Sequence, residues 1–301
     1  MDILQLIKIL KNYFLKNYFF VRVYHIGTII IIYNDIDIIL KYNVDMFNNI
    51  EQMVKKIMND VRRKIENKYS IPNDMVSVII PNYNNGIFLK TVISKILENT
   101  YNNIEIIIVD DKSTDNSINI IKQFSNNKIK LYQNNENNGT YYCRNKGILM
   151  SKGDYILNVD GDDYIDSTYI ENIVNGIKNY DKNVWGYGKH FERVYLDKNL
   201  NIIYKKKIPF HNVLFKRKLF NYLGFFHNSR YGADVEFIFR AKIYKYPIKF
   251  EYNYDNIQYH ANTLKNKNLT QVVNSKKRSE YIASAKKNVS MHNYIQMALL
   301  D

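Results

Sequence analysis

The sequence predicts an α/β fold in which a mostly parallel sheet is flanked by helices. Two observations carry this. Short runs of Ile and Val alternate with stretches of helical period, and the runs end repeatedly in polar loops rich in Asp, Asn and Ser. Strands joined through helices run in one direction, so those loops gather on one sheet edge, where open α/β sheets bind ligands.

Taken in order, residues 1–73 predict a small appended α+β module. It comprises strands at 19–24, 28–33 and 36–42 and a charged helix at 44–68. Before them Ile3, Leu6, Ile7, Leu10 and Phe14 form an amphipathic stripe that suits packing on the body and also contact with a bilayer surface. The run 76–80 is a strand stopped by Pro81, after which Phe88, Leu89, Val92, Ile93, Ile96 and Leu97 recur at helical spacing. Residues 104–109 form a continuous apolar strand with Asp110 and Asp111 at its carboxyl end. Ser113, Thr114 and Asp115 offer caps for a helix carrying Ile118, Ile121 and Phe124. A strand at 129–132, a helix at 140–150 and a strand at 155–159 after a Gly153-Asp154 turn complete the alternation. The tail 263–301 contains a basic amphipathic helix at 274–300, suited to packing on the body or on a second copy in a homo-oligomer.

The strand at 155–159 delivers Asp160, Gly161, Asp162 and Asp163. In extended backbone Asp160 and Asp162 share a face, and Gly161 admits close approach to the main chain. Carboxylates this close repel unless a cation sits among them. An all-oxygen set favours Mg2+ or Mn2+, ions that keep positions open for phosphate oxygens. On spacing alone, an exposed acidic turn explains the same residues.

Four segments, SVIIPNYN (77–84), IEIIIVDDKSTD (104–115), NNGTYYCRNKG (137–147) and GDYILNVDGDDY (153–164), resemble in order and spacing the successive signatures of glycosyltransferase family 2. A later stretch, LFKRKLFNYLGFF (214–226) followed by GADVEFIFR (232–240), is similar to the family's region that ends in its acidic catalytic motif. The resemblance covers roughly residues 74–262. It implies the GT-A fold and inverting hexosyl transfer from a nucleotide diphosphate sugar, most often a UDP-sugar, to a hydroxyl of a glycan, protein or lipid. It also implies the roles of individual residues. Tyr83, beside Pro81, would flank the nucleotide base, Asp110 or Asp111 would accept hydrogen bonds from base or ribose, and Arg144 would face the nucleotide. Asp162 of the Asp160-Gly161-Asp162 (DXD) motif would be the principal ligand of Mn2+ or Mg2+, with Asp160 on ribose, metal or both and Asp163 behind them. Asp234 would be the general base, while Glu236 stands at i to i+4 spacing from Arg240 and suits an ion pair. His260, in a late Tyr-His segment, would reach metal or phosphate. The sequence departs from the family at Lys112 for a usual glycine, Cys143 for alanine, Ser167 for proline and Ala233 for glutamate. The last of these bears on the acceptor side.

With 301 residues and 46% hydrophobic content the chain can bury a sizeable core. Cys143 is its single cysteine, which excludes an internal disulfide framework and, with no typical secretory signal, points to a cytoplasmic location. No apolar run approaches the about 20 residues of a membrane span. A net charge of +14 with 27 tyrosines admits a different class of function, nucleic-acid binding, but the basic clusters at 205–207 and 216–218 match no nucleic-acid motif. A catalytically inactive sugar-nucleotide-binding protein and a nucleotidyltransferase are the further alternatives. Asp162 and Asp234 together argue against the first, and the segment 232–240 fits the second poorly.

Overall fold

The computed structural model describes residues 19–24, 28–33, 38–43, 74–180, 183–227, 229, 232–251, 257–264 and 279–284. The helices expected at 3–14 and 44–68, and most of that expected at 274–300, lie outside the described residues. Within the last, 279–284 are helical. The chain divides into two compact units, Met1–Ser70 with Ala285–Asp301, and Ile71–Ser284.

In the first unit β1 (Phe19–Tyr24), β2 (Thr28–Tyr33) and β3 (Ile38–Asn43) form an antiparallel meander. Phe19 opposes Tyr33, and Thr28 opposes Asn43.

The second unit is built on a nine-stranded mixed sheet. Its first half is the expected alternation: β4 (Val76–Asn82), α1 (Gly86–Leu97), β5 (Ile104–Asp110), α2 (Ser117–Lys122), β6 (Ile129–Gln133), α3 (Thr140–Met150) and β7 (Tyr155–Asn158). These four strands lie parallel in the order β6-β5-β4-β7. Every residue of β4, β5 and β7 is buried, as parallel strands covered on both faces require. Val78, Ile80, Leu89, Val92, Ile93, Ile106, Ile108 and Leu157 form the heart of the core.

The chain then makes β8 (Tyr164–Ile165), α4 (Tyr169–Lys178), the long hairpin β9 (Gly186–Leu196) and β10 (Ile202–Lys216), α5 (Arg217–Leu223), α6 (Ala233–Ile243), β11 (Ile248–Phe250) and β12 (Tyr259–Leu264). β10 joins the parallel half by pairing antiparallel with β7, and β9, β12 and β8 follow outward, with β11 parallel to β9. The sheet therefore turns from parallel to mixed at the strand that ends in the acidic residues.

One local expectation changes. Strand β4 is not stopped by Pro81 but runs through it to Asn82. Its ladder with β7 ends at Ile79, so Pro81 lies where β4 has a neighbour on one side only and its missing N–H costs little. Of the three caps offered for α2, Asp115 takes the place: its carboxylate accepts the N–H of Ser117 at 3.0 Å and that of Gly86 at 2.8 Å, tying the starts of α2 and α1 together.

Helix α3 lies so close to β4 that a Cβ on Gly147 would stand 2.3 Å from Ile79 Cγ2. Gly147→Ala is therefore expected to destabilise the fold by about 1–3 kcal/mol through overpacking, measured by denaturant unfolding.

Candidate active site

The carboxyl ends of β4, β5 and β7 carry three loops that are bonded into one surface. Asn82 Nδ2 donates to Asp110 Oδ1 at 2.7 Å and to Ser113 Oγ at 3.1 Å. Asn84, left-handed at φ 54°, receives the N–H of Thr114 on its side-chain oxygen at 2.8 Å and donates its own N–H to Ser113 Oγ at 3.0 Å. Between these fixed neighbours Tyr83 is 47% exposed.

Asp110 and Asp111 brace this loop surface from inside, each with about one acceptor position left open. Both are buried. Asp110 takes the Asn82 amide and also the Ser113 N–H and hydroxyl. Asp111 takes Asn134 Nδ2 at 2.8 Å, Asn138 N at 3.0 Å and Gly139 N at 2.7 Å. A carboxylate has about four acceptor positions, so three on each are already filled from within the protein. Lys112, where the family has glycine, adopts φ 65°, a left-handed conformation that explains the usual residue. Cys143 is buried beside Asn134, and burial with the nearby Asp111 pushes its thiol up.

The acidic residues after β7 occupy a turn rather than extended backbone. The Asp163 N–H donates to the Asp160 carbonyl at 3.0 Å, so Asp160 and Asp162 do not share a face by strand alternation as the sequence predicts. Three contacts fix the turn. Gly161 is pressed against β4, where a Cβ would meet the Pro81 carbonyl at 3.1 Å and the Asn82 and Asn85 amide groups at 3.2 and 3.0 Å. Asp163 is buried and accepts the Tyr259 hydroxyl at 2.7 Å and the Asn262 N–H at 3.0 Å, so β12 grips the turn from behind. Asn262 Nδ2 also donates to the Asp162 carbonyl at 2.6 Å. Burial, with Asp160 adjacent, pushes the Asp162 carboxyl up to about 7, and the same causes raise Asp163. Arg193 on β9 acts on Asp162 in the opposite direction.

Arg144, on α3, connects this turn to the other end of the site. Its guanidinium meets Asp160 Oδ1 at 2.6 Å and lies 5.1 Å from the centre of the Tyr141 ring. Burial opposes its charge, but Asp160, Tyr141 and Asp234 more than offset that and hold it protonated. The Tyr141 hydroxyl donates to Asp234 Oδ1 at 2.6 Å, and burial beside Asp234 keeps that phenol protonated. Asp160, Arg144, Tyr141 and Asp234 therefore form one connected series, although Tyr141 and Asp234 are 93 residues apart. Tyr141 was not among the predicted residues. Its spacing of three from Arg144 on a helix was the available signal. Tyr259 and Asn262 belong to the late Tyr-His segment, whereas nothing in the sequence marks Arg193.

Asp234 stands in the first turn of α6, after Gly232 in the left-handed region at φ 75°. Glu236 pairs with Arg240 as the i to i+4 spacing indicates, at 2.9 and 2.5 Å. Arg240 also donates to the carbonyls of Leu223 and Phe225, so the pair locks α6 to the end of α5. His260 is directed away from the acidic turn. Its Nδ1 meets Glu192 at 2.6 Å, its Nε2 meets Asp166 at 3.1 Å, and its ring stacks on Tyr164 at 4.5 Å. With both nitrogens facing carboxylates it has none to offer a metal or phosphate here.

A model of the family described as glycosyl transferase family 2 matches residues 77–245. The chain belongs to that family. Its mixed α/β architecture is of the GT-A type expected. Glycosyltransferase GlyG of Streptococcus pneumoniae is 38% identical over 114 residues, 37% of this chain and 38% of that protein. An Escherichia coli enzyme, the UDP-Glc:alpha-D-GlcNAc-diphosphoundecaprenol beta-1,3-glucosyltransferase WfaP, is 38% identical over 102 residues, 34% of this chain and 41% of its own. The chain thus spans less than half the length of these relatives. Among solved structures, Staphylococcus aureus TarS (1–349) with UDP-GlcNAc matches at TM-score 0.53 and 18% identity, covering 75% of this chain and 70% of that one. The Pyrobaculum calidifontis mannosyltransferase PcManGT with GDP-Man and Mn2+ matches at TM-score 0.50 and 14% identity, covering 80% of each.

Two outcomes test this family 2 site. Glu236→Ala leaves Arg240 buried without its partner and should cost about 3–5 kcal/mol at neutral pH. Burial alone would raise the Glu236 carboxyl, but Arg240 more than offsets that and holds it below the ordinary value. The ionised pair therefore stabilises the fold above about pH 4.3, and its contribution fades as pH falls through the depressed folded value, so the gap to the variant should narrow in acid unfolding curves. Tyr141→Phe should preserve the fold and lower the transfer rate by freeing Asp234, read as a fall in kcat greater than any rise in KM.

Proposed function

We propose that the chain is a glycosyltransferase that moves a sugar, with inversion, from a nucleotide diphosphate sugar, a UDP-sugar foremost, to a hydroxyl of a glycan, protein or lipid acceptor, assisted by Mn2+ or Mg2+. One observation carries it: a contact series, Asp160 ion-paired to Arg144, Arg144 over the Tyr141 ring and Tyr141 hydrogen-bonded to Asp234, joins the acidic turn to the expected base. The nucleotides bound by TarS and the Pyrobaculum enzyme support the donor class. We take residues 74–262 as the catalytic domain.

Among the described residues no three His, Cys, Asp or Glu side chains converge to hold a metal. That fits an ion held by one or two carboxylates and completed by diphosphate oxygens and water, the habit of Mg2+ in phosphate sites. Asp162 would be its principal ligand and Asp160 the second, and the raised Asp162 carboxyl is what a pair built for a cation looks like without one. When bound, such an ion neutralises charge on the leaving diphosphate. Arg144 supplies a fixed positive charge beside it. Tyr83, beside Pro81, flanks the base, and Asp110 or Asp111 accepts from base or ribose at the acceptor position left open on it. Tyr141 occupies Oδ1 of Asp234, leaving Oδ2 to take the proton from the acceptor hydroxyl as it attacks the anomeric carbon. A single displacement needs no covalent enzyme intermediate.

Asp234→Asn should lower kcat by about 10²- to 10⁴-fold while donor binding is retained, measured as sugar transfer or donor hydrolysis. In thermal-shift panels with Mn2+, a UDP-sugar at about 100 times its Kd should stabilise the fold by about 2.7 kcal/mol, and Asp162→Asn should remove the metal-dependent part. No stabilisation by any nucleotide sugar would overturn the proposal.

A further inference from the structure

The outer end of β10 is unlike the rest of the described surface. Seven large apolar side chains are exposed among the described residues, and three of them, Ile202 (56%), Ile203 (49%) and Tyr204 (52%), are consecutive. The β9 register slips between Ile202 and Tyr204, so Ile203 has no opposite residue and a bulge turns successive side chains outward. The strand is held rigid there. Asp197 accepts the N–H groups of Asn199 and Asn201 at 2.8 and 2.9 Å, and the Tyr204 ring stacks on Tyr195 at 4.2 Å.

Lys205, Lys206 and Lys207 follow directly and are exposed. Glu192, the nearest carboxylate, is committed to Lys205 and His260 at 2.6 Å each, and among the described residues Lys206 and Lys207 have no ion pair. The β7 ladder reaches β10 only at 214–216, so the outer edge of 202–208 has no strand partner among the described residues. This is an apolar patch adjoining a cationic one along about 20 Å of free strand edge. A second copy of the chain pairing there would set lysine rows near lysine rows. A nucleic acid would use the lysines but leave Ile202 and Ile203 in water. An anionic bilayer satisfies both, with apolar side chains entering the interface and lysines at the level of the phosphates.

We propose that the exposed end of β10 docks this enzyme on an anionic lipid bilayer through Ile202, Ile203 and Tyr204 with Lys206 and Lys207. The patch begins one strand from the site: Lys206 pairs in register with Arg193, the β9 residue whose charge acts on Asp162. Docking would present the acidic turn to acceptors held in the membrane. It does not rest on the proposed reaction, because vesicle binding is measured without turnover.

The test uses the full chain with phosphatidylcholine vesicles, with and without phosphatidylglycerol. Cys143 is buried with its thiol pushed up, so an Ile203→Cys variant takes a polarity-sensitive fluorophore at the patch selectively. Expected are cosedimentation with anionic but not neutral vesicles, a blue shift of the fluorophore, and about a ten-fold or greater loss of binding in both Lys206→Glu/Lys207→Glu and Ile202→Ser/Ile203→Ser, with melting temperatures unchanged. Absence of vesicle binding overturns the proposal. So does binding that leaves the fluorophore and both variants unaffected, or lysine variants that lose binding to an oligonucleotide while keeping that to vesicles.

Discussion

The ion pair between Arg144 and Asp160 is the constraint on which the site's arrangement depends. A guanidinium with 13% of its side chain exposed is costly unless opposed by negative charge, and the turn after β7 supplies three carboxylates in four residues. Each group makes the other tolerable. Because Arg144 sits on α3, one turn from Tyr141, the pair also fixes where α3 presents the phenol, and the phenol fixes Asp234 at the start of α6. A single electrostatic balance therefore spans the parallel half of the sheet and the helix that follows the mixed half.

Much of the first half was legible in the chain. The runs that became β4, β5 and β7 are apolar because both their faces are covered, and α1 and α3 follow at helical period. The helix at 140–150 has the predicted bounds, and the meander β1 to β3 follows the Ile- and Tyr-rich runs closely. The choice between Glu236 as acid and as ion-pair partner was also readable, since i to i+4 spacing on a helix sets the contact by itself. Conformational detail escaped where tertiary context decides it. Pro81 reads as a strand end locally, yet the place of β7 beside β4 lets the strand continue.

Side-chain partnership was the less legible level, because it depends on residues far apart in sequence. His260 is 68 residues from Glu192 and 94 from Asp166, and parallel pairing of β12 with β9 is what brings the first of them to it. Asp111 is 27 and 28 residues from the amides it accepts. The hairpin β9–β10 was missed altogether. Its charged residues, such as Lys189, Glu192 and Arg193, break the simple apolar alternation that marks a strand, and several are held by distant partners.

How the acidic turn stays available to a ligand follows from how its members are used. Gly161 is consumed by its approach to β4 and Asp163 by Tyr259 and Asn262, while Arg144 takes one oxygen of Asp160. The Asp162 carboxylate is bonded only by its own backbone N–H among the described residues, while its carbonyl is held by Asn262. Burial and the neighbouring Asp160 make that carboxylate costly to ionise near neutral pH. On the metal-assisted reading proposed above, a cation would offset both costs together and would meet a ligand already oriented by its fixed neighbours, so little ordering would be left to oppose binding. The same account explains why the turn is anchored by β12, the last strand among the unit's described residues. A carboxylate kept in an unfavourable state must be held there by structure made elsewhere, and Tyr259 and Asn262 are that structure.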